Sequence, residues 1–322
     1  MELNEILAPV ADDMRHVDAA IRTAMSSQVE LVDEISQHII SSGGKRLRPA
    51  TLALAAKACG YQGKEHIQLA AAIELVHTAT LLHDDVVDGS KMRRGKQAAN
   101  LIWGNNASVL VGDYLYSLST KMMIEPGRLD ILHVVASAAN DIAEGEIVQL
   151  TNRHNPNISE EQYFKVIRSK TARLFEASTH VGALLGRTSA STENAMARYG
   201  LHLGNAFQLI DDVLDLCGNA EEIGKNIGDD LADGKATLPM IHAIRNGTRQ
   251  QATAIQHAIE NADISSLSEV LEAIESTHAI EYTSQLAHRE AGLAIDQLRV
   301  LPASPAKTAL EQLASFAVQR RN

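Results

Sequence analysis

Carboxylates embedded in apolar segments are the feature that most constrains the fold of this 322-residue chain. The pattern Asp-Asp-x-x-Asp occurs three times, at residues 84–88, 211–215 and 229–233. The first copy follows the run AIELVHTATLLH and the second follows LGNAFQLI, and both runs are typical of buried helices. Because residues i and i+4 share one face of a helix, each copy presents two carboxylates in one direction. Charges in such surroundings are tolerated when they are paired or bound to a metal ion.

The chemistry of these carboxylates indicates a magnesium site. Hard oxygen ligands without a Cys or His cluster suit Mg²⁺, which is usually shared with the phosphates of a substrate. For any single copy, the alternative is a solvated helix end. The third copy, with Asp229, Asp230 and Asp233, lies in a Gly-rich polar stretch. This copy is therefore either a solvated segment or a group that supports the metal ligands of the other copies.

The composition favours helices and a reducing compartment. Hydrophobic residues make up 45% of the chain and aromatic residues only 3%, which favours close-packed helices over sheets. The net charge of −11 argues against a nucleic-acid partner, which would require a basic face. Cys59 and Cys217 are isolated, as in proteins of a reducing compartment. With an acidic N-terminus and no apolar run of about 18 residues, the sequence predicts a cytoplasmic protein.

Apolar residues recur with helical periodicity along nearly the whole chain. This pattern predicts a single all-α domain over residues 1–322, and no stretch alternates as a strand would. Prolines and Gly-containing turns separate the helices. We predict helices near residues 4–25, 28–41, 48–59, 65–88, 106–124, 128–153, 159–187, 191–217, 238–246, 249–260, 266–276, 278–299 and 305–319.

Basic segments accompany the acidic motifs. A diphosphate substrate requires a metal ion on one side and Arg and Lys side chains on the other. The basic segments are GGKRLRP at 43–49, MRRGK at 92–96, SKTAR at 169–173, GK at 224–225 and GKAT at 234–237.

His77 stands inside the first apolar run. A lone histidine in such a place is more often a satisfied core residue. It lies seven residues before Asp84, two helical turns back on the same face, which favours a functional role.

Taken together, these motifs resemble those of the trans-prenyl diphosphate synthases, or trans-isoprenyltransferases. The resemblance rests on GGKRLRP, LLHDDVVD with MRRGK, SKTA, FQLIDDVLD, and GKNIGDD followed by GKATLP, in that order. Within this family, the chain most resembles the bacterial long-chain enzymes that make the side chains of quinones such as ubiquinone. It implies an all-α isoprenoid synthase bundle around a central cavity, and a homodimer. It also implies condensation of isopentenyl diphosphate onto an allylic diphosphate such as farnesyl diphosphate, with about three Mg²⁺ ions.

The resemblance further implies roles for individual residues. The metal ligands would be Asp84, Asp85, Asp88, Asp211, Asp212 and Asp215. The allylic diphosphate would contact Arg93, Lys170, Thr171, Gln208, Lys225 and Lys235. Among these, Thr171 and Gln208 would place neutral oxygen dipoles near the cationic carbon, and with Lys170 and the aspartates they complete the catalytic set. Isopentenyl diphosphate would contact Lys45, Arg48, His77 and Arg94.

Small residues before the first motif predict a long product. Ala79 and Thr80 lie five and four residues before Asp84, about 6–8 Å below it on a helix. An aromatic side chain there would block a growing tail, whereas small residues leave a tunnel open. An extended tail of about eight isoprene units spans on the order of 30–40 Å, comparable with a helix of 20 or more residues. Met122 and Met123 are candidates for the tunnel floor, the alternative being ordinary core.

Other functions and partners follow from the same motifs. A terpene cyclase or head-to-head synthase would not need an isopentenyl diphosphate site, for which GGKRLRP, His77 and Arg94 are the evidence. A non-catalytic subunit of a heteromeric synthase would have lost metal or basic positions. Shorter products such as geranylgeranyl, or longer ones such as nonaprenyl, stay open. We predict at most peripheral membrane contact, during product release.

Overall fold

The computed structural model describes residues 2–217 and 228–320, and these residues are predominantly α-helical. The prediction of an all-α fold is confirmed. None of the described helices is long and apolar enough to cross a membrane. In chain order the helices are α1 (Leu3–Ile6), α2 (Ala11–Met25), α3 (Glu30–Ser41), α4 (Leu47–Ala58), α5 (Glu65–Val87), α6 (Ala99–Trp103), α7 (Asn105–Ile124), α8 (Leu129–Thr151), α9 (Glu160–Ile167), α10 (Arg173–Leu185), α11 (Ala190–Cys217), α12 (Asp229–Ala232), α13 (Leu238–Asn246), α14 (Arg249–Asn261), α15 (Leu267–Ser276), α16 (Ala279–Gln297) and α17 (Pro305–Gln319).

Two of the predicted helices are interrupted. The helix expected at 4–25 is broken by a 3-10 turn at Ala8–Val10, because Pro9 lacks the amide hydrogen that a continuous helix needs. The helix expected at 159–187 is divided by a π-helical turn at Arg168–Ala172. Continuous helices at these two places were therefore wrong predictions, although the flanking segments are helical.

A short hairpin that periodicity did not predict follows α5. Strand β1 (Met92–Arg93) pairs antiparallel with β2 (Lys96–Gln97), with Met92 opposite Gln97 and Arg93 opposite Lys96. Strands of two residues are too short to leave an alternating pattern in the sequence.

The described chain divides into two compact units. The first unit comprises the residues up to 139, 174–200 and 297–313. The second unit comprises 140–173, 201–296 and the residues from 314 onward.

Helices α5 and α7 pack together within the first unit. His83, near the end of α5, lies with Nε2 3.2 Å from the carbonyl oxygen of Val109, near the start of α7. Gln68, near the start of α5, donates from Nε2 to the carbonyl of Met122, near the end of α7, at 3.1 Å. The two helices are therefore antiparallel.

The second unit has an aliphatic core around the end of α11. Leu209 of α11, Leu238 of α13 and Ile255 of α14 are all fully buried in this core. Packing of this kind holds α11 as a rigid support. The second Asp-rich motif therefore projects from a well-anchored helix.

Helices α4 and α10 approach each other closely at Gly182. A Cβ at this position would lie 2.5 Å from the Cβ of Ala55, 2.8 Å from the amide nitrogen of Ala56 and 2.9 Å from the carbonyl oxygen of Leu52. Two of these atoms belong to the backbone of α4 and cannot swing aside as a side chain could. In contrast, a Cβ at Gly292 in α16 would have no such atom within 4 Å.

We expect Gly182→Ala and Gly292→Ala to change stability in opposite directions. Gly182→Ala should lower the free energy of unfolding by about 1–3 kcal/mol, because the added methyl group overpacks the α4–α10 contact. Gly292→Ala should raise it by about 0.5–1 kcal/mol, because alanine has the higher helix propensity and a less flexible unfolded chain. Urea denaturation of both variants measures these changes. Equal effects of the two substitutions would contradict the close approach.

Candidate active site

The first Asp-rich motif forms the end of α5. Asp84 and Asp88 are half-buried and lie one helical turn apart, so their carboxylates project from the same face. Asp85 is buried, and its carboxylate accepts a hydrogen bond from Nε of Arg93 at 2.9 Å. Arg93 is thus a partner of Asp85, and Asp84 and Asp88 lie together on a neighbouring face of α5.

The hairpin sends its two arginines to different neighbours. Arg94 and Gly95 have φ angles of 52° and 75°, the positive values that a type I′ turn requires. Arg93 reaches Asp85, whereas Arg94 donates from Nη1 to the carbonyl of Gly43. The hairpin thus joins the first Asp-rich motif to the GGKRLRP loop.

Three of the residues predicted to bind isopentenyl diphosphate lie together in the first unit. Arg48 donates from Nη1 to Nε2 of His77 at 3.1 Å, and its guanidinium lies 4.6 Å from the ring centroid of Phe175. Because a guanidinium only donates, Nε2 of His77 accepts and the ring proton is on Nδ1. Arg94 is close enough to act on the charge of His77. Lys45 is exposed in the loop before α4.

Arg46 is a residue whose position the sequence analysis missed. It has a φ of 49° immediately before α4, and its guanidinium pairs with Glu74 at 2.6 Å and with Asp18 at 3.4 Å. Glu74 is buried, so this pair anchors the GGKRLRP loop to α5. Nothing in the motif distinguishes Arg46 from Arg48, because the direction of each side chain depends on the irregular backbone.

The second unit contains a cavity of about 140 Å³. It brings together the predicted residues Lys170, Thr171, Gln208, Asp212 and Lys235. Its other lining residues are Gln149, Asn152, Arg153, Ile158, Tyr163, Val166, Ile167, Asp230, Ala236 and Thr237.

The π-helical turn places Lys170 and Thr171 on this cavity. Such turns are rare and frequently occur at functional sites, because the extra residue changes the direction of the side chains. Lys170 pairs through Nζ with Glu146 at 2.7 Å and donates to Oε1 of Gln149 at 2.7 Å. Both of these partners belong to α8, which fixes the position of the ammonium group.

Asp212 is held by uncharged donors. It is 2% exposed, and its two oxygens accept from the hydroxyl of Tyr163 at 2.6 Å and from Nε2 of Gln208 at 2.8 Å. Burial, followed by the negative charge of Asp230, raises the pKa of Asp212 to about 8, while the two hydrogen bonds act in the opposite direction. Tyr163 was not predicted, because no pattern in the sequence links a tyrosine of α9 to an aspartate of α11.

Asp211 lies against Arg320, which follows α17. The guanidinium of Arg320 is 2.7 Å from Oδ1 of Asp211, donates to the carbonyl of Phe207 at 2.6 Å, and lies 3.6 Å from the Phe207 ring centroid. Arg320 is also a residue that the sequence analysis missed. It stands more than a hundred residues from its partner and outside every recognisable motif.

The third Asp-rich motif joins the second. Asp230 lines the cavity, and its backbone amide donates to Oδ2 of Asp215 at 3.4 Å. Asp233 pairs with Nζ of Lys235 at 2.7 Å. Lys225, predicted to contact the allylic diphosphate, lies outside the described residues.

The residues predicted to line the tail tunnel are mostly buried in the first unit. Ala79 is 2% exposed, and Met123 is 3% exposed. Thr80 is half-buried and donates from Oγ1 to the carbonyl of His77 at 2.8 Å. These positions suit either a tunnel wall or an ordinary core.

The contact between Gln68 and Met122 gives the depth of the methionines below the first motif. Gln68 precedes Asp84 by 16 residues, which on a helix corresponds to about 24 Å. Met122 therefore lies near the far end of α5, at a depth comparable with much of a long isoprenoid tail.

Comparison with known proteins establishes the family. The sequence profile described as polyprenyl synthetase matches residues 29–276. The chain belongs to the polyprenyl synthetase family. It is 50% identical over 324 aligned residues to the octaprenyl diphosphate synthase of Escherichia coli K12, with 99% of each chain covered.

Solved structures of polyprenyl synthetases agree with this assignment. A polyprenyl synthase from Caulobacter crescentus, complexed with calcium and isoprenyl diphosphate, superposes with a TM-score of 0.96 at 41% identity, covering 100% of this chain and 98% of that chain. A decaprenyl diphosphate synthase from Rhodobacter capsulatus superposes with a TM-score of 0.94 at 40% identity, with both chains fully covered. The predicted isoprenoid synthase fold and the predicted membership of the prenyltransferases are confirmed.

Polyprenyl synthetases are generally Mg²⁺-dependent, and the donors of this member fit that ion. Asp84 and Asp88 in the first unit, and Asp211 and Asp215 in the second, offer hard carboxylate oxygens. Within residues 2–217 and 228–320, no three His, Cys, Asp or Glu side chains converge into a complete cage. Mg²⁺ commonly takes only one or two protein carboxylates, and water and phosphate supply the rest. A divalent cation would also lower the raised pKa of Asp212.

We expect His77 to make the stability of this polyprenyl synthetase pH-dependent. Burial, and then the charges of Arg48, Arg94, Arg93 and Arg46, lower the pKa of His77 well below its ordinary value. The unfolded chain protonates this histidine near pH 6.5, whereas the folded chain does not, so the free energy of unfolding falls as pH falls below about 6.5.

The loss attributable to His77 should approach about 1.4 kcal/mol per pH unit until the folded-state pKa is reached. Urea denaturation of the wild type and of His77→Asn between pH 5 and pH 8 isolates this contribution as the difference between the two slopes. Parallel slopes would contradict the lowered pKa.

Proposed function

We propose that this chain is a long-chain trans-polyprenyl diphosphate synthase whose product is octaprenyl diphosphate. The cavity of the second unit carries the proposal. It combines the ammonium groups of Lys170 and Lys235 with the carboxylate of Asp212, and it places the uncharged oxygens of Thr171 and Gln208 beside them. Such a combination suits a substrate with a diphosphate at one end of the reacting bond and a developing carbocation at the other.

The reaction begins at the allylic diphosphate. The bond between its first carbon and oxygen breaks, and the diphosphate leaves with the electron pair. Lys170 and Lys235 of the second unit hold the departing oxygens, and Lys225 belongs to the same proposed set. Bound Mg²⁺ would neutralise the diphosphate and make it a better leaving group.

Isopentenyl diphosphate supplies the electrons for the new bond. Its terminal double bond attacks the allylic cation, a carbon–carbon bond forms, and a proton leaves for the released diphosphate. Arg48, Arg94 and Lys45 hold its diphosphate, and the neutral His77 beside Arg48 supplies a further polar contact. A terpene cyclase would have no use for this second basic cluster.

The proposed metal ligands are the aspartates of the first two motifs. Asp84 and Asp88 act from one helix face, and Asp211 and Asp215 from another helix. The buried middle aspartates, Asp85 and Asp212, support these ligands through the hydrogen bonds already described. About three Mg²⁺ ions, shared with the substrate diphosphate, would bind to these carboxylates.

The length of the product is proposed from the relatives and from the first unit. The relative from E. coli is named as an octaprenyl synthase, and the structure from R. capsulatus as a decaprenyl synthase. Identity is higher to the octaprenyl enzyme, at 50% against 40%. The small residues Ala79 and Thr80, with Met122 about 24 Å below Asp84, are consistent with a tail of this class.

Assembly and location complete the proposal. Large apolar side chains are exposed on α7 in the first unit, with Leu110 67% exposed and Tyr116 42% exposed. In the second unit Ile147 and Leu150 of α8 are also exposed. Exposed apolar residues of this kind support a homodimer, because symmetric dimers commonly bury such faces. The enzyme acts in the cytoplasm, supplies the side chain of ubiquinone, and has at most peripheral contact with a membrane.

Product analysis tests the proposed function. Purified protein, with farnesyl diphosphate, labelled isopentenyl diphosphate and Mg²⁺, should give octaprenyl diphosphate, read by reversed-phase chromatography after dephosphorylation. Excess chelator should abolish turnover, and Asp84→Ala should lower it about a thousandfold or more, because one metal-binding carboxylate is lost. Asp12→Ala, which removes an exposed ion pair with Arg15, should leave turnover unchanged.

The outcomes of this assay separate the alternatives. Products of another length would correct the length alone. Full turnover in excess chelator would reject the metal assignment. Consumption of isopentenyl diphosphate only after a second, different chain is added would favour a subunit of a heteromeric synthase.

We expect Ala79→Tyr to shorten the product. The ring would stand about 7 Å below Asp84, where it would stop the tail after about three or four isoprene units while the first condensations proceed. Ala19→Tyr, at an exposed position of α2, is the matched control and should keep the full length. Chromatography of both product mixtures decides the matter, and full-length chains from Ala79→Tyr would show that this residue does not line the tunnel.

A further inference from the structure

Four side chains of the second unit form a continuous hydrogen-bonded chain along the cavity. The hydroxyl of Tyr163 donates to Oδ2 of Asp212 at 2.6 Å. Nε2 of Gln208 donates to Oδ1 of the same carboxylate at 2.8 Å. Oγ1 of Thr171 donates to Oε1 of Gln208 at 2.8 Å. All four residues line the cavity.

The hydrogen bonds give the Gln208 amide one orientation. Its Nε2 donates to Oδ1 of Asp212, and its carbonyl oxygen accepts from Oγ1 of Thr171. The hydroxyl hydrogen of Thr171 is then used by Gln208. Both residues therefore have oxygen lone pairs left for the cavity, the negative ends of their dipoles, in addition to the second N–H of the Gln208 amide.

We propose that Asp212 and Tyr163 are positioning residues that fix this polarity. Asp212 sets the orientation of the Gln208 amide, and Tyr163 holds Asp212 from the opposite side. Oxygen atoms of Gln208 and Thr171 consequently face the allylic carbon where positive charge develops. Dipoles oriented in advance stabilise such charge without reorganising during the reaction. This inference rests on the proposed function, because it assigns the polarity to the allylic cation.

The burial of Asp212 favours positioning over direct metal binding. Both of its oxygens are engaged by donors within hydrogen-bond distance, and the residue is 2% exposed. Asp211 and Asp215 of the same motif are half-buried, and Asp211 has a charged partner instead of uncharged donors. An orienting carboxylate engages its two oxygens with neighbouring donors, as Asp212 does.

Replacing Asp212 by asparagine tests the orientation. The new amide can donate to the carbonyl of Gln208, which would turn the Gln208 amide around and present hydrogens to the cavity. We expect kcat of Asp212→Asn to fall about a hundredfold, in line with the loss of one preorganised dipole. The Mg²⁺ concentration for half-maximal rate and the KM for isopentenyl diphosphate should stay within about twofold of the wild type, since the positioning role leaves these interactions intact.

Replacing Tyr163 by phenylalanine tests the support of Asp212. Tyr163→Phe should lower kcat by about tenfold, and the double variant Tyr163→Phe/Asp212→Asn should be no slower than Asp212→Asn alone, because the two residues act through one path. The matched control is Tyr282→Phe. The hydroxyl of Tyr282 donates to Glu160 at 3.0 Å in the same unit but lines no part of this cavity, so kcat should not change.

Three results would overturn the inference. A Mg²⁺ requirement of Asp212→Asn raised tenfold or more, with kcat restored at saturating Mg²⁺, would make Asp212 a metal ligand. If the decreases in kcat of the two single variants multiplied in the double variant, Tyr163 and Asp212 would act independently. If kcat of Asp212→Asn equalled that of the wild type, Asp212 would have no orienting role. Circular dichroism of each variant ensures that the comparison is between folded proteins. Failure of the proposed function is distinct, because the wild-type protein itself would then make no polyprenyl diphosphate.

Discussion

The middle carboxylate of each of the first two Asp-rich motifs is buried, and its need for hydrogen-bond partners organises the surrounding residues. Asp85 is satisfied by Arg93, which reaches back from the hairpin. Asp212 is satisfied by Tyr163 and Gln208. A buried charge without such partners would cost several kcal/mol. The outer aspartates of each motif are half-buried and share one helix face.

Two departures from regular helix place the remaining polar groups. The π-helical turn at Arg168–Ala172 interrupts what would otherwise be one helix and sets Lys170 and Thr171 beside the cavity. The type I′ turn at Arg94 and Gly95 allows adjacent arginines to reach different partners. Both conformations cost some local stability, which the surrounding packing offsets.

The first unit combines dense packing with a long helix pair. Close contact at Gly182 and the many alanines of α4 and α5 let backbones approach each other, so that little volume is left between the helices. The antiparallel α5 and α7 extend from the first Asp-rich motif to Met122 and Met123. In the proposed function, the small side chains Ala79 and Thr80 would also border the tail below Asp84. Product length in this family member would then depend on a few side-chain volumes along α5 and α7.

Helical periodicity was enough to predict the all-α fold and most of its helices. The family resemblance supplied the site residues, of which Lys170, Thr171, Gln208, Asp212 and Lys235 line one cavity. The periodicity is a local signal, because residues three and four apart on a helix share a face whatever the rest of the chain does. The prediction missed the 3-10 turn at Pro9, the short hairpin and the π-helical turn. Each depends on backbone geometry that periodicity does not encode.

The partners of the charged groups were decided by the tertiary structure alone. Tyr163 is 49 residues from Asp212 in sequence, and Arg320 is still farther from Asp211. The role of Arg46 beside Glu74 and Asp18 likewise depends on where separate helices pack. Such contacts are selected by burial and by the requirement that every buried polar group find a partner. That requirement acts only once the chain is folded, so no local pattern in the sequence records which partner is chosen.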